Sequence, residues 1–215
     1  MLKKGDTVKL NNRTIEIVKF LGKGKGGYSY LAISDNEEIV YKKIHYEPCE
    51  YYNFGNNKVL SEVEAYKRLS GIGIKIPRLL EYSEAEDFIL KEYIVGPSAA
   101  EMLAKNELKE HHFAEVFSMA NSLYTRNTNI DFFPTNFIYR GNEVYYIDYE
   151  CNDLIEEWDF ETWGIYFWLN QEGIKELVES GESSKLCLPN SPKPIKSNFE
   201  EIAIELIKKY SAKYK

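Results

Sequence analysis

Cysteine and histidine are scarce in this chain, three of each among 215 residues. Cys49, Cys151 and Cys187 are odd in number and widely spaced, with no Cys-x-x-Cys pair. That excludes a zinc module and a disulfide framework, and the three read as reduced thiols of a cytosolic protein. His111 and His112 are neighbours on a predicted helix, where adjacent side chains diverge, so they are expected on the surface and not on a shared metal. Excess positive charge is also missing. There are 27 Lys+Arg against 34 Asp+Glu, a formal charge of -7, which excludes a general nucleic-acid binder. The basic end, Lys208-Lys209 and Lys213 to Lys215, is the local exception. Read as a solvated helix terminus, its lysines also suit the helix dipole. No apolar run approaches the roughly 18 residues of a membrane span, and the start, Met1 to Asp6, has no apolar segment, so no signal peptide is expected. Internal repeats and low-complexity tracts are absent as well.

What is present is globular composition: 44% hydrophobic, 14% aromatic and 28% charged residues. A chain of this length buries roughly 70% of its unfolded surface and can form one domain or two small lobes. The first part reads as strands around one helix. Thr7–Leu10 and Thr14–Leu21 flank Asn11-Asn12, and Tyr28–Ser34 and Glu38–His45 flank Asp35-Asn36. A polar loop over residues 47–58 follows, then helical spacing at Ser61–Leu69, then short strands at Leu79–Tyr82 and Phe88–Tyr93. From Gly96 the pattern turns helical. Glu107–Arg126 carries Phe113, Val116, Phe117 and Ala120 on one face. A hairpin is predicted at Phe137–Tyr139 and Val144–Ile147, and helices at Asp159–Asn170 and Phe199–Tyr210.

Chemistry-bearing residues fall in a definite order. Gly22-Lys23-Gly24-Lys25-Gly26-Gly27 is a glycine-rich turn, which lets backbone N–H groups approach phosphates without Cβ clashes. Strand material follows it, so it suits neither a dinucleotide-binding turn nor a Walker loop. In the next strand, alternation puts Val40, Lys42 and Ile44 on one face, a lysine between apolar neighbours, while Lys43 faces the other way as a solvated charge. In the helix, Glu62 shares the packed face with Ala65, Tyr66 and Leu69, whereas Glu64 sits with Lys67 and Arg68 on a solvent face. Asp131 and Asn136 then stand five positions apart, and Asp148 follows twelve positions later across the hairpin. A carboxylate beside an acceptor hydroxyl, with hard oxygen ligands nearby, is what in-line phosphoryl transfer on magnesium requires.

Together these stretches resemble the protein-kinase-like superfamily over about residues 14 to 165, and its small atypical members in particular: the RIO kinases, the Bud-type kinases, and the aminoglycoside and choline phosphotransferases. Gly26-Gly27-Tyr28-Ser29 resembles the Gly-Gly-x-Ser stretch of those phosphotransferases, and Ile147-Asp148-Tyr149-Glu150 their Ile-Asp-aromatic-Glu. The resemblance implies a two-lobed α+β fold: an N-lobe over residues 1–92 with a five-stranded antiparallel sheet and one helix, a hinge at 93–97, and a mainly helical C-lobe over 98–215. It implies ATP and Mg²⁺ as cofactors. Gly22, Gly24, Gly27 and Ser29 would lie at the phosphates, Lys42 would pair with Glu62, and the Glu92 carbonyl and Ile94 N–H would meet the adenine edge. Asp131 would orient and deprotonate a hydroxyl, and Asn136 and Asp148 would hold magnesium.

Some positions depart from the pattern. Asn129 stands where the motif has histidine, Phe133 where serine/threonine kinases have lysine, and Ser29 where a valine usually packs on adenine. Lys91 occupies the position controlling access behind the adenine. Ten residues separate Asp148 from Asp159, which leaves no room for a phosphorylation-controlled activation loop. Asp159 is expected to brace the catalytic loop, and Trp158 and Trp163 are expected in the core. The reading is a cytoplasmic kinase with a hydroxyl acceptor, a protein slightly before a small molecule. A nucleotide-binding pseudokinase that regulates or binds a partner is the alternative. Nucleic acid could be met only through the Lys208–Lys215 end.

Overall fold

The computed structural model describes residues 1–11, 13–48, 57–189 and 191–214. Cys49 and most of the 47–58 loop lie outside the described residues. The chain divides into two compact units, Met1–Arg68 with Pro77–Tyr93, and Leu69–Ile76 with Ile94–Lys215.

The first unit is built on strands β1 (Thr7–Leu10), β2 (Arg13–Lys23), β3 (Gly27–Ser34), β4 (Glu37–Ile44), β5 (Leu79–Ser83) and β6 (Phe88–Glu92), with helix α1 (Lys58–Ile72) between β4 and β5. Among the described residues they form one six-stranded antiparallel sheet in the order β1-β2-β3-β4-β6-β5. The five-stranded expectation is corrected by β1, which hydrogen-bonds along β2 from Thr7↔Glu16 to Leu10↔Arg13 and extends the sheet by one edge strand. Alternation sets the faces. Ile15 and Ile17 point into a cluster with Tyr30, Ala32, Ile39, Tyr41, Phe88 and Leu90, so Val40, Lys42, Ile89 and Lys91 occupy the opposite face. Asp35 and Asn36, both at positive φ, make the tight β3–β4 turn. Asn57 caps α1, its Oδ1 accepting the Leu60 N–H at 3.0 Å.

The second unit holds helices α2 (Ala99–Ala104) and α3 (Glu110–Tyr124), the two-residue strand β7 (Thr128–Asn129), the hairpin β8 (Phe137–Arg140) and β9 (Glu143–Tyr146), and β10 (Asn152–Asp153) paired with β7. Helices α4 (Ile165–Leu169), α5 (Gln171–Ser180) and α6 (Glu200–Tyr210) complete it. The core packs Phe113, Val116, Phe117, Ala120 and Leu123 of α3 against Phe132, Phe137, Phe160 and Trp168. The predicted helix at Asp159–Asn170 is a wide π-turn over Phe160–Gly164 running into α4. Helix α2, which the sequence pattern did not reveal, starts at a reciprocal cap: Ser98 Oγ accepts the Glu101 N–H at 3.1 Å and Glu101 Oε2 accepts the Ser98 N–H at 2.7 Å.

His112 is not a surface residue. It is 6% exposed, its Nδ1 accepts the Lys109 N–H at 2.8 Å, and its ring centroid lies 3.9 Å from that of His111. Drawing His112 back to cap α3 brings the two rings together, where simple divergence was expected. Cys151 and Cys187 are free thiols. Among the described residues no helix is long and apolar enough to cross a membrane.

Candidate active site

In the first unit the sheet register gathers the phosphate-type residues. Gly22 pairs with Ser29, and Ser29 pairs with Lys42. The three form one row across β2, β3 and β4, and paired residues share a face. Lys42 Nζ lies 2.6 Å from Glu62 Oε1, with side chains 9% and 12% exposed. Glu64 is exposed, in keeping with its solvent face. A Cβ on Gly27 would stand 2.6 Å from the Lys43 carbonyl oxygen and 3.1 Å from Lys42 Cγ, so this glycine lets the Lys42 stem lie against the start of β3. At Gly22 a Cβ would meet nothing within 4 Å, leaving open space over the row.

The glycine turn is tied down by residues that sequence reasoning missed. Gly24 N–H donates to the Gly27 carbonyl at 2.9 Å, and the His45 N–H to the Gly26 carbonyl at 3.1 Å. Lys58, 4% exposed at the start of α1, donates to the His45 carbonyl at 2.6 Å and to the Lys25 carbonyl at 3.5 Å. From the sequence it falls in the polar loop over residues 47–58, where a lysine ordinarily reads as surface. Lys23 is paired with Glu47 at 2.5 Å. Glu47 also accepts from the Tyr28 hydroxyl, and the Lys23 and Tyr28 hydrogen bonds hold its carboxyl down at about 2. Lys43 is not merely solvated: its ammonium donates to the Glu86 carbonyl at 2.6 Å. Glu92 closes β6, its carboxylate accepting the Arg78 N–H at 3.2 Å. Lys91 is buried, at 6% exposure, between Val40 and Leu79.

In the second unit, Ile94 is buried at 4% exposure. Asp131, Asn136 and Asp148 are drawn together by backbone bonds. Asn136 Nδ2 donates to the Asp131 carbonyl at 3.2 Å, and the Ile147 N–H to the Asn136 carbonyl at 2.9 Å. Asp131 is exposed, and its Oδ1 accepts the Phe133 N–H at 3.1 Å, which fixes the carboxylate in a tight turn. Asp148 Oδ1 accepts the Tyr149 N–H at 2.8 Å. Among the described residues no three His, Cys, Asp or Glu side chains gather as a metal cage. Asn136 and Asp148 each carry a side-chain oxygen that could serve a magnesium ion taking its other ligands from phosphate and water.

The bracing of this turn differs from expectation. Asp159 is fully buried and caps its own turn, Oδ1 accepting from Thr162 N–H and Oγ1 at 2.8 Å each. Its Oδ2 pairs with Lys213, which also lies 3.4 Å from Glu161. The brace comes instead from Asn129, whose Nδ2 donates to the Trp158 carbonyl at 3.0 Å. Asp159 needs a cation more than it needs the loop, because a sealed carboxylate is costly without a counter-charge. Lys209 pairs with Glu110, so two lysines of the basic end are engaged inside the unit, and Lys215 lies outside the described residues.

Trp158 is corrected too, whereas Trp163 is half-buried and packs against the core cluster of Ala100, Leu103 and Phe167. Trp158 is 45% exposed, and the two ring centroids lie 4.3 Å apart. With Glu156, Glu157, Lys193, Pro194 and Lys196 they line a cavity of about 470 Å³. Trp163 then packs on Phe167, and Phe167 on Phe133, at 5.8 and 5.0 Å between centroids.

Neither a protein-family model nor a curated protein sequence matches the chain. Solved structures do. The BubR1 kinase domain is similar over 90% of this chain and 70% of its own, with a TM-score of 0.56 and 15% identity. The structure of vaccinia related kinase 3 matches 69% of this chain and 51% of its own, with a TM-score of 0.45 and 17% identity. The chain therefore has a protein-kinase-like, two-lobed α+β fold. At such identity the likeness concerns the fold and leaves activity to be argued from the residues.

Proposed function

We propose that the protein is an ATP- and Mg²⁺-dependent phosphotransferase acting on a hydroxyl, with lobes over residues 1–92 and 98–215 and a connecting hinge at 93–97. The observation that carries this reading is the Lys42–Glu62 pair. It is nearly sealed, lies in the row of Gly22 and Ser29, and occurs in a protein-kinase-like fold. A lysine beside the glycine turn, its buried charge balanced by a carboxylate, suits phosphate oxygens.

Mg·ATP, when bound, supplies the γ-phosphoryl group. Lys42 would bind its α- and β-phosphate oxygens, and the turn from Gly22 to Gly27, with Ser29, would cover the phosphates. The Glu92 carbonyl and Ile94 N–H would hold the adenine edge. Asn136 and Asp148 would supply the metal's protein oxygens. Asp131, held in its turn by the Phe133 N–H, would accept the proton of the acceptor hydroxyl as that oxygen bonds the γ-phosphorus and the bond from the γ-phosphorus to the β–γ bridging oxygen breaks, releasing ADP. A protein acceptor is favoured over a small molecule. The open cavity at Trp158 offers a surface where a polypeptide could lie.

The decisive experiment is incubation of cell lysate with Mg·ATP and either wild type or Asp131→Asn, read by phosphate-site mass spectrometry. Transfer by wild type alone supports the reading, and equal product from both sinks it. A nucleotide-binding pseudokinase is the second reading. It is favoured by Phe133, which packs on Phe167 where serine/threonine kinases place a lysine. Nucleotide binding without transfer to any lysate component would select it.

A further inference from the structure

Tyr146 is the last residue of β9 and is wholly buried. Its hydroxyl donates to the backbone carbonyl of Glu150 at 3.0 Å. The same oxygen accepts the backbone N–H of Asp131. One phenol therefore ties the turn that carries Asp131 to the segment that carries Asp148 and Glu150. The register adds a second tether: Phe137 pairs with Tyr146, one position beyond Asn136, and the Ile147 N–H reaches the Asn136 carbonyl at 2.9 Å. Asn129, which stands where the resembled motif has histidine, is committed to the Trp158 carbonyl. No role was assigned to Tyr146 from the sequence, where it reads as an ordinary alternating core aromatic.

The chemistry of the position is unusual. A buried hydroxyl is tolerated only when hydrogen-bonded, and here it has one acceptor and one donor. Phenylalanine would fill the same ring space against Phe137, whose centroid is 5.5 Å away, and would remove only the bridging oxygen.

We propose that Tyr146 is a positioning residue whose hydroxyl sets the spacing between Asp131 and Asp148. This rests on the phosphotransferase reading for its catalytic consequence, but the geometry can be tested without it. The experiment uses the full chain with Tyr146→Phe beside wild type and Asp131→Asn. Amide hydrogen exchange is followed over residues 129–133 and 148–151, together with steady-state transfer to the lysate acceptors. Exchange at the Asp131 amide should accelerate in Tyr146→Phe while α3 and the sheet of the first unit keep their protection. The kcat should fall by roughly 10- to 100-fold, as it does when an outer residue that orients a metal ligand is lost. The KM for ATP should stay within about twofold and the magnesium needed for half-maximal rate should rise, a split that general destabilisation does not produce.

Unchanged exchange at Asp131 overturns the proposal whatever the activity. Accelerated exchange with wild-type kcat and magnesium dependence overturns the positioning role. If Asp131→Asn transfers as well as wild type, the phosphotransferase reading fails on its own, and the exchange data still decide whether Tyr146 holds the turn.

Discussion

Lys42 Nζ and Glu62 Oε1 are 2.6 Å apart with both side chains nearly sealed from solvent, while the second carboxylate oxygen, Glu62 Oε2, is buried with no hydrogen-bond partner among the described residues. Removing one member of such a pair leaves a buried charge uncompensated and costs about 3–5 kcal/mol. Lys42→Met should lose stability on that scale and lose phosphate transfer. The double variant Lys42→Met/Glu62→Leu should recover most of the stability, because a packed apolar pair replaces a buried ionic one at little cost. It should not recover transfer. Urea unfolding and the lysate transfer assay check the two halves separately. Transfer by the double variant would show that the pair is architecture only.

Two glycines of the same turn should behave oppositely. A Cβ on Gly27 meets the Lys43 carbonyl oxygen at 2.6 Å and Lys42 atoms at 3.1 and 3.3 Å. Gly27→Ala should therefore destabilise by about 1–3 kcal/mol and disturb the Lys42–Glu62 pair. Gly22→Ala places its methyl in open space, so stability should stay within about 0.5 kcal/mol of wild type. Its nucleotide affinity should still fall if phosphates approach over Gly22. Thermal unfolding and fluorescent-nucleotide titration separate the effects. Wild-type nucleotide binding by Gly22→Ala would move the phosphates elsewhere.

The residues whose roles follow from short-range pattern were legible in the sequence. Alternation in β4 put Lys42 on one face with Val40 and Ile44, all three of which are buried, and helical spacing picked Glu62 over Glu64 as the packed carboxylate. The order of Asp131, Asn136 and Asp148 suggested one turn and one hairpin, which is how the backbone bonds join them. What stayed hidden depends on partners far along the chain. Lys58 reads as a surface lysine until the His45 carbonyl is seen 2.6 Å away. Asp159 reads as a loop brace until Lys213, fifty-four positions on, is found against it. Trp158 shows no periodicity that separates a core ring from an exposed one. The sixth strand was legible as the Thr7–Leu10 segment of a hairpin with Thr14–Leu21, and the count of five came from the resemblance alone.

Trp158 is half-exposed on the rim of the 470 Å³ cavity, and the Trp163–Phe167–Phe133 contacts lead from it to the residue whose N–H holds Asp131. Removing a half-exposed ring that packs on Trp163 costs about 0.5–1.5 kcal/mol, a modest fraction of a domain's stability. Trp158→Ala should therefore still fold. If the acceptor lies along this wall, transfer to lysate proteins should drop several-fold while nucleotide affinity is unchanged. Equal labelling of the same sites by both proteins would remove the cavity from acceptor recognition.

Lys213 enters the second unit against two buried carboxylates, Asp159 at 0% and Glu161 at 5% side-chain exposure, and its ammonium also lies 4.8 Å over the Tyr124 ring. Burial opposes its charge, but the hydrogen bond and field of Asp159, with those of Glu161, outweigh it and raise the lysine above its ordinary 10.5. A raised folded value means that the stabilisation is fully present below the unfolded value and is lost as pH climbs through the folded one. Lys213→Met should cost about 3 kcal/mol near neutral pH, the lower end for a broken buried pair because the lysine keeps some solvent contact. The difference between wild type and variant should stay flat from pH 7 to about 10 and narrow above it. Urea unfolding across that range checks both the size and the sign. A difference that grows with alkalinity would mean that Lys213 is not the counter-charge for Asp159. Because Asn129 ties the Asp131 turn to the Trp158 carbonyl beside Asp159, the same variant should also lower transfer at temperatures where it is fully folded.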